Sequence, residues 1–168
     1  MSENNKLPVK KLAELALLTA VALIIFVVEL RIPDLSPIYG VKLGLANIIT
    51  VFCVYRYRPW ETALVVGCRV FLGAVFASSF STLLFSASGA FLCLAGMIPV
   101  SRLFPKLPIW VCSMIGAVLH NIGQTIAAVI YLGSFASVMY LPILLVSGVI
   151  AGAFTGVCAQ IVTERLHI

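Results

Sequence analysis

Six apolar stretches run the length of the chain, each parted from the next by a short group of polar, proline or glycine residues. They predict helices over Leu12–Leu30, Leu43–Val54, Trp60–Ala77, Thr82–Val100, Ile109–Leu132 and Val138–Thr163. A helix rising ~1.5 Å per residue crosses a hydrocarbon core of ~30 Å in about 20 residues, so most of these stretches have the length of a membrane span. The breaks carry ordinary turn chemistry: Pro33, Pro37 and Gly40 after the first stretch, Ser78–Ser81 after the third, Pro105 and Pro108 after the fourth, and Gly133–Ser137 after the fifth. Tyr55-Arg56-Tyr57-Arg58-Pro59 closes the second stretch with the aromatic and basic residues of an interfacial anchor. That second stretch is short, and the connection before it is the longest in the chain, long enough to dip over the outer mouth of a bundle.

Composition turns this pattern into a fold class. Of the 168 residues, 62% are hydrophobic and 10% are charged, against about 25% charged in a soluble domain. The expectation is an all-α integral membrane protein, one domain over residues 1–168, built as a compact bundle of six transmembrane helices behind a short polar N-terminal tail (residues 1–10). The first apolar stretch follows Lys10 and Lys11 as a signal peptide would. However, Glu29, Arg31 and Pro33 stand where a small-residue cleavage site belongs, so it reads as a retained helix.

The net charge of +5 falls in small groups: Lys6, Lys10 and Lys11, then Arg56 and Arg58, Arg102 and Lys106, and Arg165. The first connection holds Arg31 and Lys42, while the third and fifth hold no basic residue. This bias places both termini in the cytoplasm of a multi-pass protein of the bacterial cell membrane. No basic stripe is left to track phosphates, which excludes nucleic acid as a partner. The five cysteines lie in apolar runs without a CxxC and read as small buried hydrophobes.

The candidate chemistry lies in the few polar residues at membrane depth. An arginine at a helix centre costs roughly 2.5–3.5 kcal/mol on insertion scales, and such residues usually line a cavity or pathway. Arg69 falls midway along the third helix; His120, Asn121 and Gln124 fall in the fifth; Asn47 lies in the second, one turn below Lys42 at the outer surface. His120 and Gln124, four apart, share a face, whereas Asn121 is rotated by about 100°. Lys42, Asn47, Arg69, His120, Asn121 and Gln124 are therefore the candidate ligand-binding set, converging on an outward-facing pocket. The structural alternative is a hydrogen-bonded network among Asn47, Asn121 and Gln124, with Arg69 in an ion pair. Arg69 and Lys42 favour a partly anionic small molecule; Glu29 and Asp34 are the acids near the outer side, and Tyr39, Phe71, Phe76, Phe85 and Tyr131 are candidate stacking surfaces.

Two small-residue faces promise close packing. Gly148, Gly152 and Gly156 form a doubled GxxxG in the sixth helix, read as packing within the bundle. Ala13, Ala16 and Ala20 line the first helix, as bundle packing or as a docking face for a membrane partner.

Other chemistries lack their parts. There is no P-loop, no HExxH and no CxxC, and Asp34 is the single aspartate, which excludes aspartate-rich diphosphate motifs. A zinc site or a bis-histidine haem lacks ligands. From these absences the expectation is a chain with no catalytic residues, no metal site and no enzymatic activity.

The segment Gly40-Val41-Lys42-Leu43-Gly44-Leu45-Ala46-Asn47, then Arg69 with Leu72-Gly73, and His120-Asn121-Ile122-Gly123-Gln124 resemble the Gx transporter family, which also goes under heptaprenyl diphosphate synthase component I. Ser86-Ala87-Ser88-Gly89-Ala90 is a weaker match. The family is similar to the substrate-binding S components of energy-coupling factor (ECF) transporters. The resemblance implies an S-component fold and a pocket under the first connection. It also implies docking of the first helix, through Ala16-xxx-Ala20, to a membrane T component and its ATPases. The function expected from it is capture of a vitamin- or cofactor-like molecule. The alternative is a membrane subunit of a flavin- or quinone-linked extracellular electron transfer complex, or of an isoprenoid or quinone pathway complex. No cofactor is required, and a bound flavin, quinone or vitamin-like ligand fits either reading. The partners expected are thus the small molecule, membrane lipid, and either the T component with its ATPases or a redox or biosynthetic membrane protein.

Overall fold

A computed structural model describes residues 8–31 and 44–165. It consists of six α-helices: α1 (Val9–Arg31), α2 (Asn47–Arg56), α3 (Pro59–Ala77), α4 (Phe80–Leu103), α5 (Ile109–Leu132) and α6 (Leu141–Arg165), with a 3-10 helix, Phe135–Tyr140, leading into α6. The expected six-helix bundle is therefore present. Five segments are long and apolar enough to cross a membrane; α2, at 10 residues, is not.

Helix boundaries follow local chemistry. Pro59 opens α3 where its missing N–H is no loss, and Glu61 reaches back to the Arg58 backbone N–H at 3.0 Å in a capping box. Ser78 adopts a left-handed conformation (φ 50°) that ends α3, and Ser79 caps α4. The chain thus reverses in two residues. Pro142 sits in the first turn of α6, where it breaks no intrahelical bond. The sixth apolar stretch does not begin as the expected single helix at Val138: its first residues form the 3-10 segment, and α6 starts at Leu141.

Neighbouring helices are α1 with α3, α3 with α4, α4 with α5, and α5 with α6, while α2 touches α1, α3, α4 and α6. Four successive α2 residues, Thr50, Val51, Phe52 and Cys53, are buried. A helix buried on every side at consecutive positions is enclosed by its neighbours, and α2 is the centre of the bundle. Val51 packs with Cys93, Met97, Cys112 and Ala159 from α4, α5 and α6; Phe52 and Cys53 pack with Leu15 of α1 and Val65 of α3.

Tight crossings use the small residues. Gly148, Gly152 and Gly156 all face α5; a Cβ on Gly156 would stand 2.5 Å from Trp110 Cα, and one on Gly152 2.9 Å from Met114 Cα. The doubled GxxxG packs α6 against α5. Ala13, Ala16 and Ala20 are exposed, together with Leu12, Leu17 and Ile24, so this face of α1 turns away from the bundle. At the opposite end from the cavity described below, Lys11 Nζ pairs with the buried Glu61 at 2.7 Å, and Tyr57 Oη donates to Glu14 at 3.3 Å, tying α1 to the start of α3.

Candidate functional site

A central helix of 10 residues is only ~15 Å long, about half the depth of the bilayer core. Its neighbours α3–α6 run 19 to 25 residues. Among the described residues nothing fills the space beyond the α2 N-terminus, and a cavity of about 510 Å³ lies there. Ala46 and Asn47 line it from the start of α2, Phe26 and Glu29 from the end of α1, and Arg69 from the middle of α3. Thr82, Phe85 and Ser86 contribute from α4; His120, Gln124, Thr125, Ala128 and Leu132 from α5; Ser137, Tyr140 and Leu144 from the chain entering α6.

The structure thus brings Asn47, Arg69, His120 and Gln124 to one cavity. Arg69 is 8% exposed, and its Nε has no hydrogen-bond partner among the described residues. A guanidinium carries five donors in a rigid fork, and leaving one buried and unpaired costs about 1–3 kcal/mol or more. Arg69 and Glu29 line the same cavity, and no ion pair to Arg69 is present among the described residues.

His120 and Gln124 are placed by a close crossing of α4 and α5. A Cβ on Gly89 would lie 2.9 Å from His120 Cε1 and Nε2 and from Gln124 Cγ; a Cβ on Gly123 would lie 2.6 Å from the Ser88 carbonyl oxygen. Two glycines, one on each helix, let the backbones meet, and the imidazole is held against the α4 backbone with its edge at the cavity wall.

Asn121 is turned toward α6. Its Nδ2 donates to the Leu144 carbonyl across the α5–α6 interface, and it does not line the cavity. The network expected among Asn47, Asn121 and Gln124 does not form among the described residues, because Asn121 is turned toward α6. Lys42, Asp34 and Tyr39 lie outside the described residues. Among the stacking candidates, Phe85 lines the cavity and stacks edge-on with Tyr131 at a centroid distance of 5.8 Å. Phe71 and Phe76 are 60% and 62% exposed and point outward.

Sequence reasoning placed Glu29 near the outer side but not in the site. It is 8% exposed, lines the cavity and accepts a hydrogen bond from Gly44 N–H. Gly44 holds a left-handed φ of +65° just before α2, so this bond fixes the end of α1 to the start of α2. Thr82, Ser86, Thr125 and Tyr140 were also missed; hydroxyl residues are too common in membrane helices to stand out before the cavity is seen. Asn47 faces a second, far smaller void of about 20 Å³ beneath, beside Thr50, Ser113 and Thr155, with room for about one water. Among the described residues no three His, Cys, Asp or Glu side chains gather in a metal-binding group.

The cavity is amphipathic. Arg69, His120, Gln124, Asn47 and Glu29 give it a polar part; Phe26, Phe85, Ala128, Leu132 and Leu144 give it an apolar one. It suits a molecule with an anionic head and a hydrocarbon body.

Residues 18–162 match the family described as heptaprenyl diphosphate synthase component I. The chain belongs to that family. No curated protein and no solved structure gives a significant match. The match corrects the resemblance to the Gx transporter family and to ECF S components, for which nothing comparable is found. It corrects with it the expected roles in substrate capture for transport and in vitamin uptake. The expectation of a chain without enzymatic activity is corrected as well, since the family description names a synthase component. Absent motifs misled here: they exclude an aspartate-rich site within this one chain, and say nothing of a part in an enzyme made of several components.

Proposed function

We propose that this chain is the membrane-embedded component of a prenyl diphosphate synthase system and that its cavity binds an isoprenoid diphosphate. The observation that carries the reading is Arg69, a buried guanidinium whose Nε has no partner among the described residues, set in the wall of an amphipathic cavity. Guanidinium geometry matches phosphate oxygens bidentately. The α2 N-terminus adds the positive end of a helix dipole at the cavity floor, worth roughly half an elementary charge. Ala46, its N-cap, offers no side-chain cap, and the Asn47 and Ile48 N–H groups are bonded to the Gly44 and Leu45 carbonyls. His120 and Gln124 supply further donors, and the aromatic and aliphatic lining accepts the prenyl chain. The family description supports the isoprenoid class.

The chain has a single aspartate, so within such a system its share is to hold and orient the diphosphate, and a partner component brings the rest of the chemistry. The Lys and Arg bias supports an orientation with both termini in the cytoplasm and the cavity toward the outer side of the membrane.

Calorimetric titration of the purified protein with farnesyl diphosphate tests the proposal, with farnesol and inorganic diphosphate as its two halves. The intact molecule should bind more tightly than either half. Arg69→Ala should weaken binding by about 10- to 100-fold, the equivalent of one charged hydrogen-bonded contact of about 1.5–3 kcal/mol. No binding of farnesyl diphosphate, or equal binding by Arg69→Ala, would overturn it. So would tighter binding of a quinone, which shares the tail and lacks the diphosphate.

A further inference from the structure

We propose that the small void beneath Asn47 binds one water molecule, and that this water holds the Asn47 amide in place at the floor of the large cavity. The water site stands on its own. The role of Asn47 toward a ligand rests on the diphosphate reading above.

The void measures about 20 Å³ and lies where α2 meets α4, α5 and α6. A water needs roughly 10–15 Å³ of such space and two to four polar partners. Four side chains offer them: Asn47 and Thr50 from α2, Ser113 from α5 and Thr155 from α6. Thr50, Ser113 and Thr155 are 4%, 3% and 2% exposed, so bulk solvent cannot serve them.

Proton supply picks out the occupant. Thr155 Oγ1 donates to the Gly152 carbonyl at 3.3 Å, and Ser113 Oγ lies 3.2 Å from Thr155 Oγ1. With its own proton given to Gly152, Thr155 accepts from Ser113. Both hydroxyls have then spent their protons and keep only lone pairs. On α2 the balance is the reverse. No hydrogen bond joins the Thr50 hydroxyl or the Asn47 amide to another described residue, so both have protons to give. Donors on α2 thus face acceptors on α5 and α6 across the void. Water accepts from one side and donates to the other. A cation takes lone pairs only, and the lining holds no carboxylate to offset its charge in a buried site. Without a partner in the void, the Thr50 hydroxyl would stay unpaired at the full cost of its desolvation.

Asn47 lines both spaces. Its amide nitrogen carries two N–H groups. One meets the water, and the other is left for a phosphate oxygen in the large cavity. Holding the amide still beforehand reduces the ordering cost of binding. Asn47 is therefore a binding residue, and Thr50 is a positioning residue that acts through the water.

Thr50→Val tests the water site. Valine keeps the shape and nearly the helix propensity of threonine and removes the hydroxyl. With water bound, the change breaks a buried hydrogen bond, and the melting temperature should fall by about 2–4 °C. An unpaired hydroxyl gives the opposite sign, because valine then relieves a buried polar group. An unchanged or raised melting temperature would overturn the water site. Titration with farnesyl diphosphate tests the positioning. Asn47→Ala should weaken binding by at least about 10-fold, the loss of a hydrogen bond to a charged group. Thr50→Val should weaken it by at least about 2-fold, and the double variant should bind no worse than Asn47→Ala alone, as residues in one network are not additive. Wild-type affinity in Thr50→Val, or additive losses in the double variant, would overturn the positioning. No binding by the wild type would overturn the diphosphate reading and the ligand role of Asn47, while the melting temperatures still decide the water site. Should Thr50→Val fail to fold, water-edited solid-state magnetic resonance on the wild type in lipid decides. Magnetisation should pass from water to the Thr50 and Thr155 side chains, and no transfer to either would overturn the water site.

Discussion

Replacing Gly123 with alanine tests whether the α4–α5 crossing builds the cavity wall. The new Cβ would stand 2.6 Å from the Ser88 carbonyl oxygen, 2.9 Å from Gly89 Cα and 3.0 Å from the Ser88 carbonyl carbon. All three neighbours are backbone, so no side-chain rotation relieves the contact and the helices must part by roughly 0.5–1 Å. A gap of that size forfeits a quarter to a half of the dispersion energy of each contact along the seam, and overpacking of this kind costs about 1–3 kcal/mol. Alanine recovers up to about 1 kcal/mol of helix propensity, which leaves a net loss of up to about 2 kcal/mol with that gain in full. For a chain of this size a loss of about 2 kcal/mol lowers the melting temperature by about 4–8 °C. Gly67→Ala is the matched control. Gly67 lies in the middle of α3 with no atom within 4 Å of its Cβ position, so the propensity gain of about 0.5–1 kcal/mol stands alone. Thermal unfolding in one detergent, followed by intrinsic fluorescence, compares the two. A Gly123→Ala protein as stable as the wild type, or a Gly67→Ala protein that loses as much, would refute the reasoning.

Further outcomes follow from the same contacts. Gly89→Ala should weaken farnesyl diphosphate binding, because its Cβ displaces the His120 ring and Gln124; unchanged affinity in a folded protein would show that neither side chain touches the ligand. Asn121→Ala should cost about 0.5–1.5 kcal/mol of stability, the net worth of one hydrogen bond, since the Leu144 carbonyl still accepts from Ser147 Oγ, with ligand affinity unchanged. A titration that loses affinity in proportion would return Asn121 to the binding set. Glu61→Ala should destabilise by about 2–4 kcal/mol in thermal unfolding, because it strands Lys11 and the Arg58 backbone N–H at the α1–α3 contact; a loss below about 0.5 kcal/mol would mean the pair is screened.

Much of the fold was legible because membrane spans announce themselves. Helix α5 was bounded at Ile109 and Leu132 by Pro108 and Gly133, and α3 at Ala77 by the serine turn. The short second stretch was visible too, but its consequence was not. That α2 is the enclosed centre of the bundle, and that its shortness creates the cavity, depends on which helices surround it, and one sequence does not order helices. The 3-10 entry into α6 was hidden because Phe135–Tyr140 is as apolar as the helix it precedes.

The site was legible where polarity contrasted with its surroundings. Arg69, His120 and Gln124 stand out in apolar helices for that reason. Asn121 stood out equally but serves packing, since a helix position that differs by 100° meets another neighbour. Glu29 was obscured by its place near a helix end, where a carboxylate is ordinarily solvated. Function was the least legible: the same buried cation suits many anionic ligands, and the family match moved the reading from a transported vitamin to an isoprenoid diphosphate.

The central claim is that Arg69 meets the phosphates of an isoprenoid diphosphate inside this cavity. Solid-state magnetic resonance measures it directly, as the dipolar coupling between ¹⁵N-labelled arginine and the ³¹P nuclei of farnesyl diphosphate bound to the protein in lipid. The expected result is a close nitrogen–phosphorus contact that disappears in Arg69→Lys labelled the same way. Bound ligand with no such coupling, or a coupling that persists in Arg69→Lys, would contradict it.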